Sequence, residues 1–332
     1  MSNGQSLPGN RRRALIGAVA ATVLFAGPFS PHAVAQTFPN KPITLIIPFP
    51  PGGATDAQFR ALAAAASKEL GQQVVVTNKA GVGGTLGPVS MARSAAPDGY
   101  TVAVLPGTIY RLPHLLNSAD WDPVKDFTYI IGLTSYSFAI TVSADSHWKS
   151  LKELLAEAKD KPGQLSYGTV GTGSTGHIAM SRLLKAADVK MNFVPFKGAA
   201  EQQLALIGGH INALGDAGWG AQTKAGKMRV LAVMDAQRAK NWPDVPTLRE
   251  LGYDIVALST LGIGGPKGMD PAVVKVLHDA FRKASKDPAF LNVLDLENQP
   301  ELYFDSAAYA RAAAEQFEND RKFVRELGLQ KQ

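Results

Sequence analysis

The stretch Ile43 to Asp56, ITLIIPFPPGGATD, limits the fold more than any other, because it passes from a buried strand through a glycine turn into a helix start without a break. Ile43, Leu45, Ile46 and Ile47 form a short apolar run bounded by prolines, the pattern of a strand covered on both faces. Pro48 ends the ladder, and Pro50, Pro51, Gly52 and Gly53 cannot resume it; the two glycines admit positive φ and let another group approach bare backbone. Thr55, with Gln58 three residues on, reads as a capping box, after which Phe59, Leu62, Ala66 and Leu70 keep one helical face. The helix therefore starts at the turn, and its first free N–H groups, with the positive end of its dipole, face the space beyond the strand's C-terminal end. That is an anion site in outline.

The chain then repeats this plan. Val74 to Thr77 is a strand that enters the glycine turn NKAGVGGTLG, Asn78 to Gly87, and Tyr100 to Leu105 is a third strand that ends in Pro106, Gly107 and Thr108. Leu165 to Val170, Met191 to Val194 and Ile211 to Leu214 are three more strands. Helices are expected over His177 to Ala187, after the turn Gly171 to Gly176, and over Glu201 to Ile207, after Pro195 to Ala199. Strands alternating with helices at this spacing predict βαβ units with parallel sheets, in two halves of similar design. Ligands of such sheets lie beyond the C-terminal strand ends. Phe138 to Val142 and Ile255 to Ile263 are extended pieces that join the halves. Ser150 with Glu153 opens a helix, and Asp270 with Pro271 opens another, striped by Val274, Leu277, Phe281 and Ala284. The last helix carries Tyr309, Ala313, Phe317, Val324 and Leu327, and both late helices are expected to return over the first domain.

A length of 332 residues suits two domains, set here at 36–137 with 258–332 and at 138–257. Ahead of them, Arg11, Arg12 and Arg13 precede the apolar run Ala14 to Gly27, and Ala33, Val34 and Ala35 form an A-x-A cleavage pattern. Residues 1–35 thus read as an export signal cleaved after Ala35, which puts the mature protein in the periplasm. The run is 14 residues, short of the ~20 that span a bilayer, so a membrane anchor is the weaker reading. The arginines also fit a twin-arginine signal. Removing the signal lowers the formal charge from +6 to +3, with 31 basic against 28 acidic residues, and leaves no Lys/Arg cluster to suggest nucleic acid. There is no cysteine, which excludes thiol catalysis and cysteine metal sites.

Gly171, Gly173 and Gly176 spell G-x-G-x-x-G between strand and helix, the context of a dinucleotide loop. The acidic residue that should close the next strand and hold a ribose is missing, since Pro195, Phe196 and Lys197 stand there, so a general anion or carboxylate turn is the main reading. Ser174 invites a hydrolase, but a nucleophile elbow needs glycine two places before the serine, where Thr172 stands. Ser174 and Thr175 more simply offer hydroxyls at a helix start. His177 stands there too, as a ligand contact or as a cap, and no histidine pair or nearby acid has metal spacing. Asp216, at a strand end before Gly218, either faces the cleft or caps the next helix. Tyr110, Phe196 and Trp219 each follow a strand end and are expected to form an apolar wall.

Eight blocks in one order carry a resemblance: PFPPGGATD (Pro48 to Asp56), NKAGVGGTLG (Asn78 to Gly87), APDGYTV (Ala96 to Val102), WDPVKDF (Trp121 to Phe127), YGTVGTGSTGH (Tyr167 to His177), VPFKG (Val194 to Gly198), AGKMRVLAV (Ala225 to Val233) and PDVPTLRELG (Pro243 to Gly252). They resemble the Bug or TctC-type periplasmic solute-binding proteins of tripartite tricarboxylate transporters. The resemblance implies two Rossmann-like α/β domains joined by two crossing segments, the class II periplasmic binding protein type, closing on a small carboxylate without enzymatic activity or cofactor. It implies ligand contacts at Pro50, Gly52, Gly53, Thr55 and Asp56, at Thr169, Gly171, Ser174, Thr175 and His177, and at Asp216; Thr108, Tyr110 and Phe196, which follow strand ends, are expected beside them. The implied partners are the membrane subunits of such a transporter, or a sensor, and the implied state is a monomer. Three positions depart from the family pattern: Asn212 where an aspartate is usual, Ser259 near a common tryptophan, and GTIYRLPH (Gly107 to His114) in place of a threonine-rich loop. All three are expected at or near the cleft.

Overall fold

The structure is a computed structural model that describes residues 38–326; the signal-like segment, its cleavage point and Leu327 lie outside the described residues. In chain order the elements are β1 (Ile43–Ile47), α1 (Ala54–Leu70), β2 (Val74–Asn78), α2 (Leu86–Ser94), β3 (Thr101–Leu105), α3 (Thr108–Leu115), β4 (Phe127–Ser135), β5 (Phe138–Ser143), α4 (Leu151–Asp160), β6 (Ser166–Thr169) and α5 (Thr175–Ala186). They continue as β7 (Asn192–Pro195), α6 (Ala199–Ile207), β8 (Ala213–Ala217), α7 (Gly220–Lys224), β9 (Met228–Val233), β10 (Thr260–Pro266), α8 (Pro271–Ala284), α9 (Pro288–Leu296), β11 (Glu301–Phe304) and α10 (Ser306–Glu326).

Two sheets divide these strands. The first runs β11-β4-β10-β3-β1-β2, the second β7-β6-β8-β5-β9. Parallel pairing holds where βαβ units were expected: β1 lies parallel to β2 and β3, and β6 parallel to β7 and β8. Each sheet also takes antiparallel strands beyond those units: β10 is antiparallel to β3 and β4, and β5 is antiparallel to β8 and β9. The cause is the double crossing. β5 and β10 each arrive from the other lobe and so enter their sheets in the reverse direction. The crossing segments touch, with the Tyr136 N–H donating to the Ser259 carbonyl at 3.0 Å.

Burial explains why these runs become these elements. Ile43, Leu45 and Ile47 are fully buried, as are Phe59, Leu62 and Ala66 on the facing side of α1. Each of the larger of these side chains removed from water contributes about 1.5–3 kcal/mol, so α1 cannot leave β1 without losing the centre of the first lobe. The late helices cover that lobe. α8 packs on α1, and α10 packs on β4 and α3, with Tyr309 edge-on to Tyr129 at 4.9 Å.

The caps are partly as expected. Asp270 caps α8 through the Ala272 N–H at 2.7 Å, and Pro271 opens the helix. Ser150 accepts from the Glu153 N–H at 3.3 Å, while the Glu153 carboxylate accepts from Lys149 at 2.6 Å. At α1 the expected capping box is not made. Gly53 is the N-cap, and the Thr55 hydroxyl is turned to Tyr136 Oη at 2.6 Å.

Candidate functional site

Four helices aim their N-termini at one cavity between the lobes. α1 brings Gly53, Ala54, Thr55 and Asp56; α3 brings Gly107 and Thr108; α5 brings Ser174 and Thr175; α6 brings Ala199 and Gln202. Counted with its open mouth to solvent, the space between these residues is about 590 Å³. Among its lining residues there is no lysine, arginine or histidine, and Asp56 and Asp216 are the charged ones. Free backbone N–H groups and four dipoles supply the positive potential. The N-termini of α3 and α6 escape the sequence, which reads Gly107 to His114 as a loop and begins the second helix at Glu201.

The strand-turn-helix plan builds each wall. After β1, Gly52 takes φ +86°, which places its N–H 3.0 Å from Asp56 Oδ2. Asp56 Oδ1 accepts from Asn78 at 2.8 Å, and Arg60 Nε donates to both oxygens at 2.9 Å. Burial opposes ionisation of Asp56, but the hydrogen bonds from Arg60, Asn78 and Gly52 outweigh it and hold its pKa below the usual carboxylate range. The carboxylate is thus committed to shaping the turn. After β6, Ser174 caps α5, its Oγ accepting from the His177 N–H at 3.2 Å and lying 3.1 Å from Thr169 Oγ1. His177 Nδ1 accepts from the Gly173 N–H at 3.1 Å, and its ring packs at a tilt against Phe193, 4.1 Å between centroids. Burial lowers its pKa, so the imidazole is a neutral brace. Ser174 therefore meets the backbone of His177 and not its imidazole, so the serine–histidine pair that a hydrolase would need here is not assembled.

The third glycine of G-x-G-x-x-G has a packing reason. A Cβ on Gly176 would lie 2.1 Å from the Gly215 carbonyl oxygen, so only glycine lets α5 lie this close to β8. At the end of β8, Asp216 is buried; Oδ2 accepts from Val170 N–H at 2.7 Å and Oδ1 from Ala217 N–H at 2.8 Å. Burial pushes its pKa up to about 6, against the pull of those two N–H groups. Beside it Gln202 is fully buried, and its amide joins those N–H groups in favouring the Asp216 carboxylate.

Of the residues expected at the site, Pro50, Gly53, Thr55, Asp56, Thr108, Ser174, Thr175 and Asp216 line this cavity. Gly52, Thr169, Gly171 and His177 are not among its lining residues. Thr169 is fully buried, and a Cβ on Gly171 would sit 3.4 Å from the backbone of Gly83 in the first lobe, so Gly171 serves the contact between lobes.

The aromatic wall is corrected outright. Tyr110 faces inward on α3 in the cluster of Tyr129 and Tyr309, with burial pushing its pKa up to about 12. Trp219 is buried against Trp242 at 4.7 Å and donates its indole N–H to the Ser137 carbonyl at 3.1 Å. Phe196 packs beside Ile211 and Leu214 over Gly168. The aromatic surface of the cavity comes instead from Phe49, Tyr136 and Phe138. Asn212 is also away from the cleft: it sits at the opposite end of β8 from Asp216 and accepts from the Ser166 N–H at 2.8 Å. Ser259 does line the cavity, and its Oγ accepts from the Gly107 N–H at 3.1 Å.

The lobes are in contact around this space. A Cβ on Gly198 would lie 2.7 Å from the Pro50 ring, and Ala54 and Ala199 both reach the position of Gly218. Among the described residues no helix is long and apolar enough to cross a membrane.

The chain matches the family described as "TctC: Tripartite tricarboxylate transporter family receptor" over residues 58–329. It is 43% identical over 321 residues to the "UPF0065 protein in gbd 5'region" of Cupriavidus necator, covering 96% of this chain and 97% of that one. Among solved structures it superimposes on "periplasmic binding protein BugD" with a TM-score of 0.84 at 28% identity, covering 89% of this chain and 100% of that chain. It also superimposes on "R. palustris Rpa4515 with adipate" with a TM-score of 0.81 at 26% identity, covering 88% and 98%.

Proposed function

Since the chain belongs to the tripartite tricarboxylate transporter receptor family, we propose that it captures a small carboxylate between its lobes and delivers it to the membrane subunits of such a transporter. The family is one of periplasmic solute-binding receptors and not of enzymes. The observation that carries the carboxylate is the convergence of four helix N-termini on a cavity without basic side chains. A carboxylate there accepts backbone N–H bonds and gains the dipole field, whereas a cation finds no compensating surface beyond Asp216. Phe49, Tyr136 and Phe138 favour an apolar remainder, so a short aliphatic or aromatic acid fits better than a tricarboxylate. The adipate of one structural neighbour is such a molecule.

A thermal-shift panel of acids identifies the cargo, because a ligand at ~100 times its Kd adds ~2.7 kcal/mol to the folded state. The matched neutral amide is expected to bind more weakly by roughly 1.5–3 kcal/mol, the size of a charged hydrogen bond. Equal affinity for acid and amide refutes the anion site. Delivery also requires export, and the A-x-A pattern supports a mature terminus at Gln36. Mass spectrometry of periplasmic protein is expected to find that terminus; an intact Arg11 to Gly27 segment in a membrane fraction refutes it.

A further inference from the structure

Arg111 lies on α3 with little exposure, and its guanidinium spans the lobes. Nε and Nη2 donate to Asp320 Oδ1 on α10 at 3.2 and 3.1 Å, within the first lobe. Nη1 crosses to the second lobe, 3.2 Å from Thr175 Oγ1 and 3.4 Å from the Gly173 carbonyl. A guanidinium only donates. Thr175 Oγ1 therefore accepts, and the hydroxyl must turn its own hydrogen away from Arg111. Thr175 lines both the cavity and a neighbouring pocket that Arg111 also lines, so with Arg111 on one side its hydroxyl hydrogen is free to turn to the cavity. Among the described residues no protein group accepts it.

We propose that Arg111 is a positioning residue for ligand recognition: braced by Asp320, it fixes Thr175 as a hydroxyl donor toward the bound carboxylate, and does so only while the lobes are together. This rests on the carboxylate reading of the cavity and adds a specific donor to it. The two lobes meet at this contact, so separation withdraws Nη1 from Thr175 and frees the hydroxyl to rotate. A ligand carboxylate then meets one fewer oriented donor. Closure and recognition are coupled through a side chain that never touches the ligand. The pairing with Asp320 serves the same end, since two hydrogen bonds to one carboxylate oxygen fix the guanidinium plane before the second lobe arrives.

The test uses the mature exported protein and titrates adipate, succinate and benzoate, each beside its amide. Thr175→Val keeps the side-chain shape and removes the hydroxyl. Arg111→Met with Asp320→Leu removes both charges of the buried pair, which avoids stranding one of them. Each change is expected to weaken the best acid tenfold or more, to speed its dissociation, and to shrink the preference for acid over amide. Combined, all three substitutions are expected to cost no more than about threefold beyond Thr175→Val alone, because they remove one interaction. If the charge-free pair fails to fold, Arg111→Lys replaces it, since a lysine cannot reach Asp320 and Thr175 together. Full additivity, or an unchanged preference for acid over amide in the Arg111 variants while the wild type binds, overturns this proposal alone. A wild type that binds none of the acids overturns the carboxylate reading as well.

Discussion

Gly198→Ala tests whether ligand affinity depends on how closely the lobes meet. Gly198 has φ −174°, extended backbone that alanine adopts freely, so the substitution introduces no backbone strain. The added Cβ, however, would lie 2.7 Å from Pro50 Cδ and 3.3 Å from Cγ. Carbon atoms pack at ~3.5–4.0 Å, and a proline ring fixed to the chain cannot swing aside, so the lobes must part by about 0.8 Å at this point. A ligand held by helix starts of both lobes then loses or stretches at least one charged hydrogen bond, worth about 1.5–3 kcal/mol, or roughly a 10- to 150-fold rise in Kd. The unliganded protein loses no more than ~1 kcal/mol, since alanine is a poorer N-cap than glycine. Calorimetric titration beside thermal melting separates the two quantities. An unchanged Kd shows that ligand is bound with the lobes further apart than in this structure and refutes the reasoning.

Gly176→Ala is expected to destabilise the protein by about 3 kcal/mol or more, because its Cβ would overlap the Gly215 carbonyl and neither backbone can yield cheaply; a melting temperature within a few degrees of wild type refutes it. Ser174→Ala removes the cap to the His177 N–H, which alone costs about 1 kcal/mol of stability, and a loss of affinity beyond tenfold identifies the hydroxyl as a ligand donor as well. Asp216 has a folded pKa raised to about 6 above an unfolded value of ~3.9. The native state therefore holds its proton more tightly, and the stability this gives is present at low pH and lost as pH rises from ~4 to ~6. An anion beside it favours the protonated form, so affinity for a carboxylate is expected to rise as pH falls from 7.5 to 5.5, and Asp216→Asn to abolish that dependence. A pH dependence that persists in the asparagine variant assigns it elsewhere.

Local signals sufficed for the lobes. The apolar run Ile43 to Ile47, the glycine turn and the stripe Phe59, Leu62 and Ala66 carry their fate in their own neighbourhood, and each appears as β1, the turn and the buried face of α1. Strand direction is different in kind. β5 and β10 look like any apolar strand in sequence, and their reversal follows only from the chain crossing twice between lobes. The same limit hid α3: Gly107 to His114 stands in place of a threonine-rich loop, yet Thr108–Leu115 is an eight-residue helix that keeps Pro113 in its last turn and buries Ile109, Tyr110 and Leu112.

The site divides along the same line between backbone and side chain. Residues whose role is to start a helix could be placed from spacing alone, and Gly53, Thr55, Ser174 and Thr175 line the cavity because any strand-turn-helix unit puts its first turn there. Aromatics could not be placed so, since a residue just past a strand end points into the lobe or out of it according to one step of helical rotation. Tyr110 is turned into the core by that step. The side chains that do form the apolar surface are others: Phe49 between two prolines at the start of the first turn, and Tyr136 and Phe138 in a crossing segment. A crossing segment has two claims on its sequence. Tyr136 must pair with Ser259 across the hinge through its backbone while its hydroxyl holds Thr55 at the start of α1. One residue thus links the hinge, the first anion-binding turn and the wall of the cavity. Nothing in local periodicity announces such a position, because the constraint comes from three segments distant in the chain.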